Sequence, residues 1–141
     1  MKTKVCKRCG EEKPLSEYHV SNGKSGVLQP TCKLCSAVYA REFRQANRDY
    51  VSKYKLSVGC QICGFEAQAS CQLDLHHINP GDKTYKGSHK SYDAGWSKDR
   101  IDNEISKCLV VCKNCHALET HNEGHWKNTT TDISMRQSSA Q

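Results

Sequence analysis

Asp74-Leu75-His76-His77-Ile78-Asn79-Pro80, read with Cys112-Lys113-Asn114-Cys115-His116, decides how this chain folds. The second stretch places a histidine directly after a Cys-x-x-Cys knuckle. The first places two adjacent histidines at the end of Gln72-Leu73-Asp74-Leu75-His76-His77, which alternates polar and apolar residues as a short strand does. Adjacent strand residues point to opposite faces. His76 and His77 therefore take different tasks: one can hold a metal while the other meets a different partner. Alternation also argues against burying both in one core.

Leu109-Val110-Val111 reads as a second short strand running into Cys112, and a helix carrying Cys115, His116 and Leu118 follows. Between the strands, residues 79–95 form a Gly/Lys/Ser-rich loop, including Pro80-Gly81-Asp82-Lys83 and Gly87-Ser88-His89-Lys90. Such a loop buries little and is suited to lie beside substrate. Ser97 is placed to cap a helix over 98–107, with Asp99 in its first turn and Ile101 and Ile105 on one face.

The chain has 141 residues, few aromatics and a low apolar fraction, so a large hydrophobic core is not available. Small cores usually need disulfides or metals as staples. Eight of the ten cysteines fall into four Cys-x-x-Cys pairs: Cys6/Cys9, Cys32/Cys35, Cys60/Cys63 and Cys112/Cys115. That spacing is routine for zinc and rare for disulfides. Met1-Lys2-Thr3-Lys4-Val5 has charge without a following apolar run, and no stretch is long enough to cross a membrane. These features predict a cytoplasmic, reducing location, which also favours zinc. Cys71 and Cys108 lack partner spacing and read as small buried thiols.

Residues 1–36 read as a zinc-ribbon module, with Gly10 turning the first knuckle. Residues 33–55 contain no Gly or Pro and predict one long helix. Tyr39, Phe43, Ala46, Tyr50 and Tyr54 form one stripe along it, which reads as core. Arg41, Arg44, Arg48 and Lys55 fall within a sector roughly 60° wide on the opposite face. Residues 1–59 carry a net +7 and residues 60–141 a net −1, so the whole excess of +6 lies in the N-terminal half. A basic helix face can track the phosphates of DNA. An ordinary solvated amphipathic face is the alternative.

Strand, long loop, strand and helix, with paired histidines on the first strand and one on the helix, resemble the HNH endonuclease family and its ββα-metal fold. The matching residues are Leu75-His76-His77-Ile78 and Val111-Cys112-Lys113-Asn114-Cys115-His116. The N-terminal run from Cys6 through Lys13-Pro14-Leu15-Ser16-Glu17-Tyr18 to Cys32-Lys33-Leu34-Cys35, Tyr39 and Arg41 is similar to modules of phage proteins of the recombination endonuclease VII type. Together the two resemblances span residues 4–121.

The resemblance implies a small α+β fold: a zinc-stabilised ββα-metal nuclease domain preceded by a zinc-ribbon module and a long helix. The expected organisation is a ribbon at 1–36, a basic linking helix at 37–58, the nuclease domain at 59–127 and a disordered tail at 128–141. Cys60, Cys63, Cys112 and Cys115 would bind one structural zinc, and Cys6, Cys9, Cys32 and Cys35 another. His76 and His116 would be catalytic metal ligands and His77 the general base of a DNA endonuclease leaving 5′-phosphate and 3′-hydroxyl ends. A neutral imidazole can accept a proton from water near physiological pH. Mg²⁺ or Mn²⁺ is the expected catalytic ion; two imidazoles also suit Zn²⁺ or Ni²⁺.

Two positions depart from the family pattern. The middle Asn would lie near Lys107 or Cys108, and Asn103 is the nearest stand-in. A further metal ligand one turn after the helix histidine would fall at Thr120, beside His121. His121 is therefore either a ligand or a histidine interacting with the helix dipole. His19, His89 and His125 read as surface residues. The resemblance implies a phage-encoded protein acting in host cytoplasm on DNA, and a homodimer or phage packaging or recombination proteins are compatible partners. The competing reading is a non-catalytic zinc-dependent DNA-binding or adaptor protein. Cys112-Lys113-Asn114-Cys115-His116 also matches a c-type haem attachment motif, against which stand the missing export signal and the matching Cys60/Cys63 knuckle.

Overall fold

The computed structural model describes residues 1–22, 26–79, 81 and 95–123. The expectations for most of the 79–95 loop with His89, for His125 and for the 128–141 tail fall outside the described residues. The chain divides into two compact units: Met1–Asp49 with Gly87–Lys98, and Tyr50–Lys86 with Asp99–Gln141. Among the described residues, no helix is long and apolar enough to cross a membrane.

The first unit opens with β1 (Thr3–Val5) paired antiparallel to β2 (Glu12–Pro14), the two strands flanking the Cys6/Cys9 knuckle. A 3-10 turn at Leu15–Glu17 leads to β3 (Tyr18–Val20), which pairs antiparallel with β4 (Leu28–Cys32) through a bulge between Tyr18 and Val20. Helix α1 (Lys33–Val58) starts at the next residue. It stops before Gly59, whose N–H donates to the Lys55 carbonyl. The boundary between the units falls inside α1, at Asp49/Tyr50.

The second unit contains the antiparallel pair β5 (Leu73–His77) and β6 (Cys108–Cys112), separated in sequence by α2 (Lys98–Ile105) and followed by α3 (Lys113–Asn122). Lys98, the first residue of α2, belongs to the first unit. The β5/β6 register is unbroken from Leu73↔Cys112 to His77↔Cys108. Directly opposed residues share a face. One face carries Leu73, Leu75, His77, Cys108, Val110 and Cys112; the other carries Asp74, His76, Leu109 and Val111. The alternation read in the sequence thus becomes a physical separation of His76 from His77.

Each unit has its own small core, and cysteines supply much of it. Cys6, Tyr18 and Cys32 are buried together in the first, with Leu28 and Cys35 packed against them. Cys60, Leu73, Val110, Val111, Cys112 and Cys115 form the second, flanked by Tyr54, Ala67, Leu75 and Leu109. Ile101 and Ile105 are the buried face of α2, as their spacing predicts.

The buried line of α1 differs from the expected aromatic stripe. Tyr39 is 57% exposed and Phe43 36%, while Asn47 and Val51 are buried. Counting about 100° per residue, Asn47 and Val51 lie between the aromatic stripe and the arginine face. Tyr39 instead stacks with Phe43 at 6.1 Å and receives the Arg8 guanidinium over its ring at 5.3 Å. Asn47 is satisfied at its buried position by donating to the Trp96 carbonyl.

Candidate metal centres and histidine cluster

Two groups of four cysteines each bring their sulfurs within 4.8 Å of one another: Cys6, Cys9, Cys32 and Cys35, and Cys60, Cys63, Cys112 and Cys115. All four pairs singled out by spacing are therefore used, two pairs to a cluster. The knuckles share one backbone device. Gly10 and Gly64 have φ of +73° and +76°, and each donates its N–H to the carbonyl of the leading cysteine, Cys6 or Cys60. This turn aims both sulfurs of a pair at one point, and glycine adopts it without strain.

The donor chemistry fits zinc. At Cys6, N–H groups of Cys32 and Cys9 lower the thiol pKa to about 6, against the opposing effect of burial. At Cys60, burial opposes ionisation, but N–H groups of Cys63, Cys112 and Ile62 outweigh it and again lower the pKa to about 6. Hydrogen bonding to the neighbouring sulfur of Cys32, then burial, pushes Cys35 up to about 12; Cys112 and burial do the same to Cys115. Each cluster thus ionises once readily and resists full ionisation unless a cation neutralises it. A tetrahedral dication bound by four thiolates is the standard solution.

Beside the second cluster lie three histidines, each paired with its own carboxylate. On one face of β5/β6, His116 Nδ1 is 2.8 Å from Asp74 Oδ2, and Lys113 Nζ is 2.6 Å from Asp74 Oδ1. Burial works against ionisation of Asp74, yet Lys113 and His116 together hold its pKa below the usual carboxylate range. His76 lies edge-on to His116, with ring centroids 5.2 Å apart. Its Nε2 is 2.9 Å from Glu123 Oε1, at the end of α3.

On the other face, His77 Nε2 is 2.7 Å from Glu104 Oε1, and Lys107 Nζ is 3.2 Å from Glu104 Oε2. An ionised carboxylate only accepts hydrogen bonds, so the proton lies on the imidazole nitrogen facing it. In the neutral rings this leaves lone pairs on His116 Nε2, His76 Nδ1 and His77 Nδ1.

The structure therefore brings His76 and His116 together and places His77 with a different partner. Among the described residues, the histidines do not form a third group with three ligand atoms within 4.8 Å. The described residues place two imidazoles there, one held from behind by Asp74, with Glu123 adjoining. Asn103 is exposed, its carbonyl accepting from Ser106 Oγ at 2.7 Å, and its neighbour Glu104 makes the contact to His77. His121 is exposed in the last turn of α3, and Glu123 rather than His121 reaches His76.

Sequence reasoning missed all three carboxylates. Asp74 was detectable, because it lies two residues before His76 and so on the same strand face. Glu123 lies two helical turns beyond His116, a weaker signal. Glu104 meets His77 only through the placement of α2, which local sequence does not encode.

Of the proposed DNA-contacting residues, Arg41 and Arg44 are exposed, with Arg44 Nε donating to the Ala40 carbonyl at 3.0 Å. Arg48 donates to Gln45 Oε1 at 2.7 Å. Lys55 stands apart: its Nζ donates to the carbonyls of Ser70 and Leu73 at 2.9 and 2.8 Å. Burial lowers the pKa of its ammonium, partly offset by Asp74. Set against models of known families, curated proteins and solved structures, the chain matches none.

Proposed function

We propose that this protein is a metal-dependent DNA endonuclease of the HNH type, with two structural zinc ions and a catalytic divalent cation. The carrying observation is the His76–His116 pair, rings edge-on at 5.2 Å, with His116 Nδ1 held by Asp74. A carboxylate behind an imidazole fixes its tautomer and makes the opposite nitrogen a better donor, the usual arrangement behind metal-bound histidine. His76 and His116 would hold the cation. When bound, it supplies Lewis acidity to the scissile phosphate and the leaving 3′ oxygen.

His77 is the general base. Its Nδ1 takes a proton from water as the water oxygen bonds to phosphorus and the phosphorus–O3′ bond breaks. The departing oxygen is protonated from solvent, leaving 5′-phosphate and 3′-hydroxyl ends. Because His76 and His77 face opposite ways, a phosphate reaching both would lie across the end of β5, where the strand ends at His77. Arg41, Arg44 and Arg48 supply a cationic face suited to the DNA backbone.

The test incubates the full chain with linear, supercoiled and four-way-junction DNA in Mg²⁺ and in Mn²⁺. Cleavage is expected in the wild type and lost in His77→Ala, with folding and DNA binding retained. Full activity in that variant sinks the assignment. DNA binding without cleavage by the wild type would favour a zinc-dependent DNA-binding or adaptor protein instead.

A further inference from the structure

We infer that Glu104 is the positioning residue for His77: its carboxylate fixes the imidazole in the Nε2–H form and holds Nδ1 as the proton-accepting nitrogen. This rests on the nuclease reading above. The family pattern calls for an Asn near the second strand, for which Asn103 is the nearest stand-in; it is the carboxylate of the next residue, Glu104, that meets His77.

Three neighbouring contacts from one short segment hold His77. Glu104 Oε1 meets Nε2 at 2.7 Å. Cys108 is the cross-strand partner of His77. The Lys107 carbonyl accepts the N–H of Ile78, the next residue, at 3.0 Å. Glu104 is itself constrained. Ile101 and Ile105 anchor α2 through its buried face, and Lys107 engages the second carboxylate oxygen. Side-chain exposure is 17% for His77 and 14% for Glu104, so water competes weakly for this hydrogen bond. A partly buried imidazole needs some partner in any fold. A carboxylate held at both oxygens does more: it excludes the Nδ1–H tautomer, which could not accept a proton at Nδ1.

The test uses zinc-loaded, full-length protein and the variants Glu104→Gln and Glu104→Ala. Long-range ¹H–¹⁵N spectra of the neutral His77 ring are expected to show the Nε2–H tautomer in the wild type and a mixture in Glu104→Ala. With Mn²⁺, kcat of Glu104→Ala is expected to fall by up to the roughly 10²–10⁴-fold that a general base contributes, with KM and zinc content unchanged. Glu104→Gln keeps an oxygen able to accept from Nε2–H and should recover part of the loss. It also carries the test if Glu104→Ala melts or sheds zinc.

An unchanged tautomer in Glu104→Ala overturns the inference. So does a changed tautomer with kcat intact, or a loss confined to KM. Absence of cleavage by the wild type overturns the nuclease reading and Glu104's catalytic role with it, whereas a cutting wild type indifferent to Glu104 overturns the positioning role alone.

Discussion

In the first unit β4 delivers Cys32, and α1 follows at once with Lys33, Cys35 and Ser36; in the second, β6 delivers Cys112, and α3 follows with Lys113, Cys115 and His116. Both knuckles upstream turn on a glycine, and both partner strands set a buried residue opposite the strand-end cysteine, Tyr18 in one and Leu73 in the other. The units differ in what is attached. Ser36 meets the Thr31 hydroxyl at 3.0 Å, where His116 meets Asp74. The β3/β4 ladder is interrupted by a bulge, whereas β5/β6 continues through five pairs to His77. Two cysteines at a strand–helix junction and two from the upstream knuckle make a frame. The proposed chemistry needs an uninterrupted strand to carry Asp74, His76 and His77, and an imidazole after the last cysteine.

The largest effect should come from breaking the frame. Cys60, Cys112 and Cys115 are half of the six-residue buried cluster of the second unit, and Cys6 and Cys32 are two of three in the first. A structural zinc contributes about 10–16 kcal/mol of apparent binding free energy near neutral pH. That rivals the whole stability of an ordinary domain, about 5–15 kcal/mol. Cys112→Ser is expected to release one of two zinc ions and melt the second unit, and Cys32→Ser to do the same to the first. Metal analysis with amide hydrogen exchange checks both. Loss of both ions from either variant breaks the picture of two self-contained frames. Protons compete with zinc for the same sulfurs. Retention should therefore weaken as pH falls. Cys35 and Cys115, near 12, must shed protons when zinc loads at neutral pH, a release that titration can count.

A smaller structural change with a large functional effect would make the second unit resemble the first. His116→Ser places in α3 the residue that α1 carries. Zinc content and melting temperature should stay near wild type, because His116 lies outside the buried cluster. Cleavage should fall by at least the roughly 10–100-fold typical of losing an outer partner of a metal site. Unimpaired cleavage by this variant would break the distinction between frame and chemistry.

How much of this was legible beforehand follows the range of the interactions. The four cysteine pairs, the strand pair, Ile101 and Ile105 on α2 and the separation of His76 from His77 follow from fixed local spacings, and each is present. The buried line of α1 was not legible. Tyr39 and Phe43 look like core by composition, but the units bury Asn47 and Val51 instead, and what a helix packs against decides this. Glu104 illustrates the same limit. Asn103 had the expected residue type, yet the packing of α2 turns its neighbour toward His77.

The smallest expected effect on DNA separates the two ends of α1. Arg41, Arg44 and Arg48 precede the Asp49/Tyr50 boundary, and Lys55 follows it. By charge and helical phase the four belong together. By contacts Lys55 does not, since its ammonium joins the carbonyls of Ser70 and Leu73 and so ties α1 to the start of β5. Replacing an arginine that contacts a phosphate with Gln should reduce the slope of log affinity against log salt by about 0.9. Lys55→Met keeps the aliphatic stem and removes the donor, so it should leave that slope unchanged. Two carbonyls would lose a charged partner, costing about 1–3 kcal/mol in a denaturant melt. Anisotropy titrations across salt, paired with urea melts, read both quantities. A slope lowered by Lys55→Met without loss of stability would return Lys55 to the arginine face, and an unchanged slope in all three arginine variants would remove that face from DNA contact.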